Sequence, residues 1–391
     1  MPHFKYLIIG AGMTADAAVQ GIRELDPKGS IALIGDDRDP PYDRPPLSKA
    51  LWKGKPLDSI WRNTEEHTAE LFLGRTVRSI EPQKRQVQDD HRVSYTYEKL
   101  LLATGGTPRK LHFAGEDIIY FRTLQDYRRL REMCGQSERF GVIGGGFIGS
   151  EIAAALTMNG KKVTMLFPDE GIGARIFPRE LSQHINEYFR EKGVKVLAGE
   201  NVKDLKKSKD SYYLITVQGH QVQVDGVIAG IGLLPNIELA QSAGIKVGNG
   251  ILVDEMLRTD HPDIFAAGDV AEYSQPKSGK RLRFEHEDNA NTMGNQAGRN
   301  MVGANEPYQH LSYFYSDLFE LGYEAVGQLD SRLETFVDWK DPFKKGVIYY
   351  LSDDRVRGVL LWNVWDTLPA ARALISEPGP FKAADLKNRL P

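Results

Sequence analysis

One backbone device occurs twice in this chain and constrains its fold more than any other feature. Residues 141–151 read GVIGGGFIGSE, and residues 7–18 read LIIGAGMTADAA. Each is a short apolar run that opens directly into glycines and then into a helical pattern. Gly144, Gly146 and Gly149 fill all three positions of a Gly-x-Gly-x-x-Gly turn. Their jobs are the tight turn, close approach of backbone to a pyrophosphate, and close packing of helix on strand. In the other copy Gly10 and Gly12 are followed by Ala15, a permitted variant at the third position. Either copy alone reads equally well as a packing turn. Each helix, however, feeds another apolar run, SIALIG in one case and KKVTMLF in the other. Strand, turn, helix and strand, twice over, predict an α/β protein with two Rossmann-like, doubly wound domains.

Acids at the ends of those second strands sharpen the reading. Asp36 and Asp169 stand where a ribose diol would lie, Asp169 about twenty residues after Gly149. Such a carboxylate accepts hydrogen bonds from the diol and repels a 2′-phosphate, which favours NADH over NADPH; Arg175 nearby softens that discrimination. Two cradles imply two dinucleotides, and a flavin with a nicotinamide is the pair whose union makes chemical sense.

Composition removes other classes. A formal net charge of −3 provides no global field for nucleic acid or anionic lipid. No run of eighteen apolar residues is present, so no membrane span is expected, and FKYLIIG starts too near Met1 to leave room for a leader. The single cysteine, Cys134, excludes an intrachain disulfide and a two-cysteine metal site, and suits a reducing cytoplasm. No metal is expected.

Two further motifs, TYEKLLLATGGTP (96–108) and TDHPDIFAAGDVA (259–271), end strands in Thr-Gly-Gly and Gly-Asp turns. With the glycine turns and in this order, they make the chain resemble the two-dinucleotide flavoprotein reductases of glutathione-reductase-like fold. In these an inserted NAD domain interrupts the FAD domain. The resemblance narrows over PPYDRPPLSKALW (40–52), GGGFIGSEIAAAL (144–156), FEHEDNANTMGNQAGRNM (284–301), YFYSDLFELGYEAVGQLDS (313–331) and KKGVIYYLSDDRVRGVLLWN (344–363), which are similar to the apoptosis-inducing factor family. The implied domains are an FAD domain in two segments (1–121 and 248–311), an NAD domain (122–247) and a C-terminal antiparallel α+β domain (312–391) for dimer or partner contact.

The resemblance implies FAD contacts at Gly10, Gly12, Ala15, Asp36, Arg44, Lys49, Val77, Ala103, Thr104, Gly105, Arg122, Gly268, Asp269, Glu285, His286 and Tyr315. It implies NAD contacts at Gly144, Gly146, Phe147, Ile148, Gly149, Glu151, Asp169, Arg175 and Gly232. Lys49, Glu151, Phe147 and His286 carry the chemistry in this reading. Lys49 stands near the flavin, paired with Glu151, where a cation stabilises reduced FAD. Phe147 lies over the flavin until nicotinamide displaces it. Read from residues alone, Lys49 and Glu151 are also ordinary surface charges, Arg44 a solvated loop arginine, His286 a structural histidine and Phe147 a core staple.

The chain also departs from the mitochondrial pattern. Tyr315 replaces a tryptophan, Asn289 replaces a histidine, and LETFVDWKDPFKKG crosses in a few residues a region that carries a long polar insertion there. Disordering on NADH binding and cell-death partners are therefore not expected. With no dithiol available, electrons pass from NADH by hydride transfer to FAD N5 and leave directly to a quinone, oxygen or a small iron-containing protein. Three readings stay open: an NADH dehydrogenase of the apoptosis-inducing factor type with a long-lived reduced flavin–NAD complex, a ferredoxin or rubredoxin reductase component, and a module whose homodimerisation NADH controls.

Overall fold

The apolar run His3–Ile9 forms a strand whose last four residues are buried, as expected for a strand covered on both faces. In the computed structural model, which describes residues 1–113, 115, 117–209, 211–274 and 281–391, the chain divides into two compact units. The first comprises Met1–Arg44, Leu57–Thr107 and Leu234–Ser312; the second comprises Pro45–Pro56, Pro108–Leu233 and Tyr313–Pro391.

In the first unit His3–Ile9 lies between Ile31–Gly35 and Ser94–Leu102, parallel to both, with Ala69–Leu73 at one edge. Ile264–Ala266 pairs parallel with Ser94–Leu102, so the Gly-Asp turn that follows Ile264–Ala266 joins the same sheet. Gln86–Asp89 and Val77–Glu81 continue it antiparallel. The helix Met13–Leu25 packs on the helix Glu287–Val302 at backbone contact. A Cβ on Gly21 would lie 2.1 Å from the Asn295 carbonyl oxygen, and one on Gly298 would lie 2.1 Å from that of Ala18. Only glycine permits that approach.

The second unit repeats the plan. Its parallel sheet runs in the order Lys195–Ala198, Lys162–Phe167, Arg139–Ile143, Gly226–Ala229, Ile118–Tyr120. A three-stranded antiparallel sheet, Val202–Ser208 with Ser211–Thr216 and Gln221–Val224, contributes Leu214 and Val224 to the same core. The last third forms a five-stranded antiparallel sheet in the order Tyr313–Leu318, Leu321–Gly327, Arg355–Trp362, Lys345–Ser352, Glu334–Asp341, followed by the helix Leu368–Ser376. The sequence places a hairpin turn at Asp353-Asp354, and both residues have left-handed φ values of 54° and 53° there, as a two-residue hairpin requires.

Two segments tie the second unit together. Pro45–Pro56 rests on its helices: Trp52 meets Tyr127 edge-on at 5.6 Å, Arg131 lies over the Trp52 ring, and Asn159 donates to the Trp52 carbonyl. The loop after Asp169 is held by the C-terminal sheet. Tyr350 donates its hydroxyl to the Ile176 carbonyl at 2.6 Å, and Phe177 packs edge-on against Tyr323 and Trp362. Among the described residues no helix is long and apolar enough to cross a membrane.

Candidate dinucleotide sites

In the first unit the glycine turn is enforced by sterics. Gly10 has φ +120°, and a Cβ there would lie 2.2 Å from the Ala103 carbonyl oxygen. Gly12 caps the helix Met13–Leu25 in extended conformation without a side-chain bond, so the first helical amides face outward. A Cβ on Gly12 would meet one atom within 4 Å, the Arg44 Nη2 at 3.8 Å. A helix N-terminus, open glycine backbone and a guanidinium are a donor set that fits a pyrophosphate. Ala15 is fully buried under this turn, and Asp36 is exposed at the end of Ile31–Gly35. Val77 is buried at the start of its strand.

The two family turns lie in the same unit. Ala103 continues the strand, its amide donating to the Ile9 carbonyl. Thr104 and Asn236 exchange two hydrogen bonds, at 2.9 and 2.8 Å, and the Gly105 carbonyl accepts from the Asn236 amide. Gly268, at φ +76°, has no room for a side chain, since a Cβ would lie 2.2 Å from Thr14 Oγ1. Arg283 donates to the Asp269 carbonyl at 2.8 Å and pairs with Glu285 at 2.8 Å. Its Nε is buried with no hydrogen-bond partner among the described residues, a donor a bound anion would use. His286 caps the helix Glu287–Val302, and burial pushes its imidazole down to about 4 against the opposing charges of Asp269 and Asp288. Asn289 is fully buried and accepts from Tyr308 and Ser312, so it braces this helix.

In the second unit all three glycine roles can be read separately. Gly144 has φ +116° and would place a Cβ 2.3 Å from the Gly230 carbonyl oxygen. Gly149 would place one 2.0 Å from the Gly144 carbonyl oxygen, whereas one on Gly146 would meet nothing within 4 Å among the described residues. The turn is therefore closed on its inner side and open where a phosphate would sit. Phe147 begins the helix Phe147–Met158, is 37% exposed, and touches the Phe314 edge at 5.1 Å between centroids; it is not a core staple. Ile148 follows it, partly buried against the side of Gly230. Asp169 is exposed at its strand end, 3.9 Å from the still more exposed Arg175. Gly232, at φ +101°, accepts from the Arg109 amide.

Lys49 and Glu151, which sequence alone leaves as surface charges, are an ion pair at 2.8 Å with the carboxylate 3% and the ammonium side chain 11% exposed. Lys49 also sits over the Tyr315 ring at 5.1 Å. Arg122 precedes the helix Leu124–Gln136, its amide donating to Asp126. Lys49, Arg122 and Tyr315 thus belong to the second unit with the nucleotide set Gly144 to Gly232, while the remaining flavin set belongs to the first.

Four groups near these residues escaped the sequence reading. Ser48 and Ser316 both donate to Glu151, and Arg283 holds Asp269 and Glu285. Arg62 bonds Asp16, Asp43 and Asn291, pinning the glycine helix from outside. Ser48 lies beside Lys49 in sequence and Ser316 beside Tyr315, but partners 103 and 165 positions away leave no local signal.

With this geometry in place, the profile of the pyridine nucleotide-disulphide oxidoreductases matches residues 4–294, and the chain belongs to that family. It is an FAD-dependent NAD(P)H oxidoreductase. More particularly, residues 297–340 and 337–377 match the C-terminal domain of apoptosis-inducing factor. The chain is 33% identical to apoptosis-inducing factor 1, mitochondrial, of Dictyostelium discoideum, over 95% of this chain and 78% of that one. It is 32% identical to the ferredoxin–NAD(+) reductase component of the anthranilate 1,2-dioxygenase system of Burkholderia cepacia, over 97% of each. Among solved structures, the ferredoxin reductase for the CYP199A2 system from Rhodopseudomonas palustris superposes with a TM-score of 0.90 at 27% identity, covering 98% of both chains.

Proposed function

We propose that this chain is an NADH-selective flavoprotein oxidoreductase of the apoptosis-inducing factor type. The buried Lys49–Glu151 pair, set in the same unit as the open Gly146 turn and the exposed Phe147, carries the reading. When bound, FAD supplies a centre that takes two electrons from NADH and releases them one or two at a time. The chain's own residues do the rest. Gly10, Gly12 and Arg44 hold the flavin pyrophosphate and Asp36 its ribose. Gly268, Asp269, Glu285 and His286 hold the remainder of that cofactor, with Val77, Ala103, Thr104 and Gly105 walling it. Gly144, Gly146 and Gly149 receive the NADH pyrophosphate, Asp169 its ribose, and Phe147 shields the entry until nicotinamide arrives. Lys49, anchored by Glu151 and seated over the Tyr315 ring, favours the reduced state, and Arg122 completes the flavin set of this unit.

Cys134, the sole cysteine, is half-buried and its thiol is pushed up by burial, which supports direct exit of electrons rather than a thiol relay. A second reading rests on the near full-length similarity to the ferredoxin–NAD(+) reductase component: the acceptor is a small iron–sulfur protein. A third reading is a module whose homodimerisation NADH controls, supported if stoichiometric NADH shifts the protein from monomer to dimer; a cytoplasmic setting is proposed for all three. An anaerobic NADH titration followed by flavin absorbance and size exclusion separates them. Slow reoxidation by oxygen with a long-wavelength band supports the first; rapid reduction of an added ferredoxin supports the second. Protein that is colourless and resists FAD reconstitution excludes the two electron-transfer readings.

A further inference from the structure

Glu151 is more elaborately held than an ion-pair partner needs to be. Its Oε1 accepts from Lys49 at 2.8 Å and from the Ser316 hydroxyl at 2.6 Å, and its Oε2 accepts from the Ser48 hydroxyl at 2.5 Å. Ser48 is 5% exposed and Ser316 fully buried, so water does not compete for these bonds. The two serines reach the carboxylate from different parts of the unit: the turn after Pro45–Leu47 and the strand Tyr313–Leu318. Without them a buried carboxylate would face one ammonium, with Oε2 unfilled, and such a group relieves the cost by taking up a proton. A neutral Glu151 would leave Lys49, a point charge on a flexible stem, without an anchor.

We propose that Ser48 and Ser316 are positioning residues that keep Glu151 ionised and oriented, and thereby fix the ammonium of Lys49; the consequence for flavin reduction rests on the role given to Lys49 above. Ser316 has a single proton, which goes to Glu151. Its cross-strand partner is Tyr323, which is stacked on Trp362. Burial, and after it the charge of Glu151, hold the Tyr323 phenol well above the usual range, so it remains a donor. Other charged groups on the elements around this helix are committed elsewhere or set apart. Lys53 pairs with Asp317, Arg139 pairs with Asp225, and Lys162 is exposed. Tyr315 faces Lys49.

The test reads the carboxyl directly. Infrared difference spectra of the FAD-loaded protein between pH 5 and 9, with Glu151→Gln to assign the band, are expected to show no protonated Glu151 in the native chain. In Ser48→Ala/Ser316→Ala the protonated band appears as pH falls, its proton affinity raised at least tenfold, and reduction by NADH slows at least tenfold. Ser48→Thr, which keeps the hydroxyl, retains the native spectrum. Ser48→Ala alone shows the same band at lower pH and serves if the double variant does not fold. A spectrum free of the protonated band in both alanine variants across this range overturns the proposal. Lys49→Ala with unchanged flavin reduction would instead remove the role given to Lys49 and leave the infrared result standing.

Discussion

The two glycine turns share a backbone and differ in what surrounds them. Around Gly10 the chain is braced from within and behind, and a guanidinium stands on its outer side. The inner face meets Ala103, the helix behind packs at backbone contact on Glu287–Val302, and the outer face carries Arg44 beside Gly12. Arg62, only 14% exposed, adds a buried ion pair to Asp16 in the first turn of that helix, and Thr64 donates to the same carboxylate. Around Gly144 the inner face is equally tight, but the outer face at Gly146 meets nothing within 4 Å among the described residues, and the residue beside it is an exposed aromatic. A turn braced by charge with a cation beside it suits a cofactor that stays; an open turn beside an exposed ring suits one that comes and goes. The motif identifies a dinucleotide cradle, and its surroundings say whether the occupant is resident or exchanging.

Breaking both inner faces is the harshest test, because the two turns should fail differently. Gly10→Ala and Gly144→Ala each force a side chain onto a carbonyl oxygen at a left-handed φ, a strain of roughly 1–3 kcal/mol before any clash is counted. The first variant is expected to lose bound FAD and melt earlier. The second should keep its yellow colour and lose response to NADH. Absorbance and thermal melts read both, and loss of flavin from Gly144→Ala would end the distinction.

The two units should also separate in acid. Burial holds the His286 imidazole of the first unit down to about 4, so the unfolded chain takes up a proton there first as pH falls from its ordinary value near 6.5. Stability from this group is complete above that value and is lost as pH drops towards 4, by at most about 3 kcal/mol at 1.36 kcal/mol per unit. In the second unit Lys192, then Tyr188, hold the exposed Glu320 at about 2, and its contribution is lost only below the usual carboxylate range. His286→Gln should flatten the melting temperature between pH 6.5 and 4 while leaving the steeper loss below it. An unchanged profile would remove His286 from the account.

Much of this contrast was legible in the sequence because it is local. Apolar runs ending in glycines specified both parallel sheets, and Asp353-Asp354 specified a hairpin, since two left-handed residues are what such a turn needs. The braces were not legible. Arg62 meets Asn291 and Ser316 meets Glu151 across 229 and 165 positions, and neither residue type announces its partner. Phe147 shows the middle case: the sequence placed it at the head of a helix, but only the fold decided between a buried staple and an exposed ring on Phe314. Lys49 and Glu151 became a buried pair because Pro45–Pro56 lies on the second unit, which no periodicity reveals.

Smaller effects sharpen the comparison from the open side. Lys49→Ala removes the charge that Glu151 holds and should slow reduction by NADH about tenfold, equivalent to about 1.4 kcal/mol, with the flavin harder to reduce. Gly146→Ala adds a methyl that meets no atom of the described residues, so melting should not move while KM for NADH rises up to about tenfold. A fall in melting temperature would mean that the outer face is packed after all.

The mildest variant tests selectivity alone. Asp169 is exposed and its pairing with Arg175, at 3.9 Å across solvent, contributes little to stability. Its work is done against ligand: it accepts from a ribose diol and repels a 2′-phosphate. Asp169→Ala should therefore leave the melt unchanged, weaken NADH several-fold, and improve NADPH as Arg175 is released to meet the extra phosphate, each within about 1.4 kcal/mol. The ratio of kcat/KM for the two nucleotides reads it. Adding Arg175→Ala should take back the NADPH gain and little else, because an arginine this exposed has only the ligand to act on; a ratio insensitive to both changes would move the selectivity out of this loop.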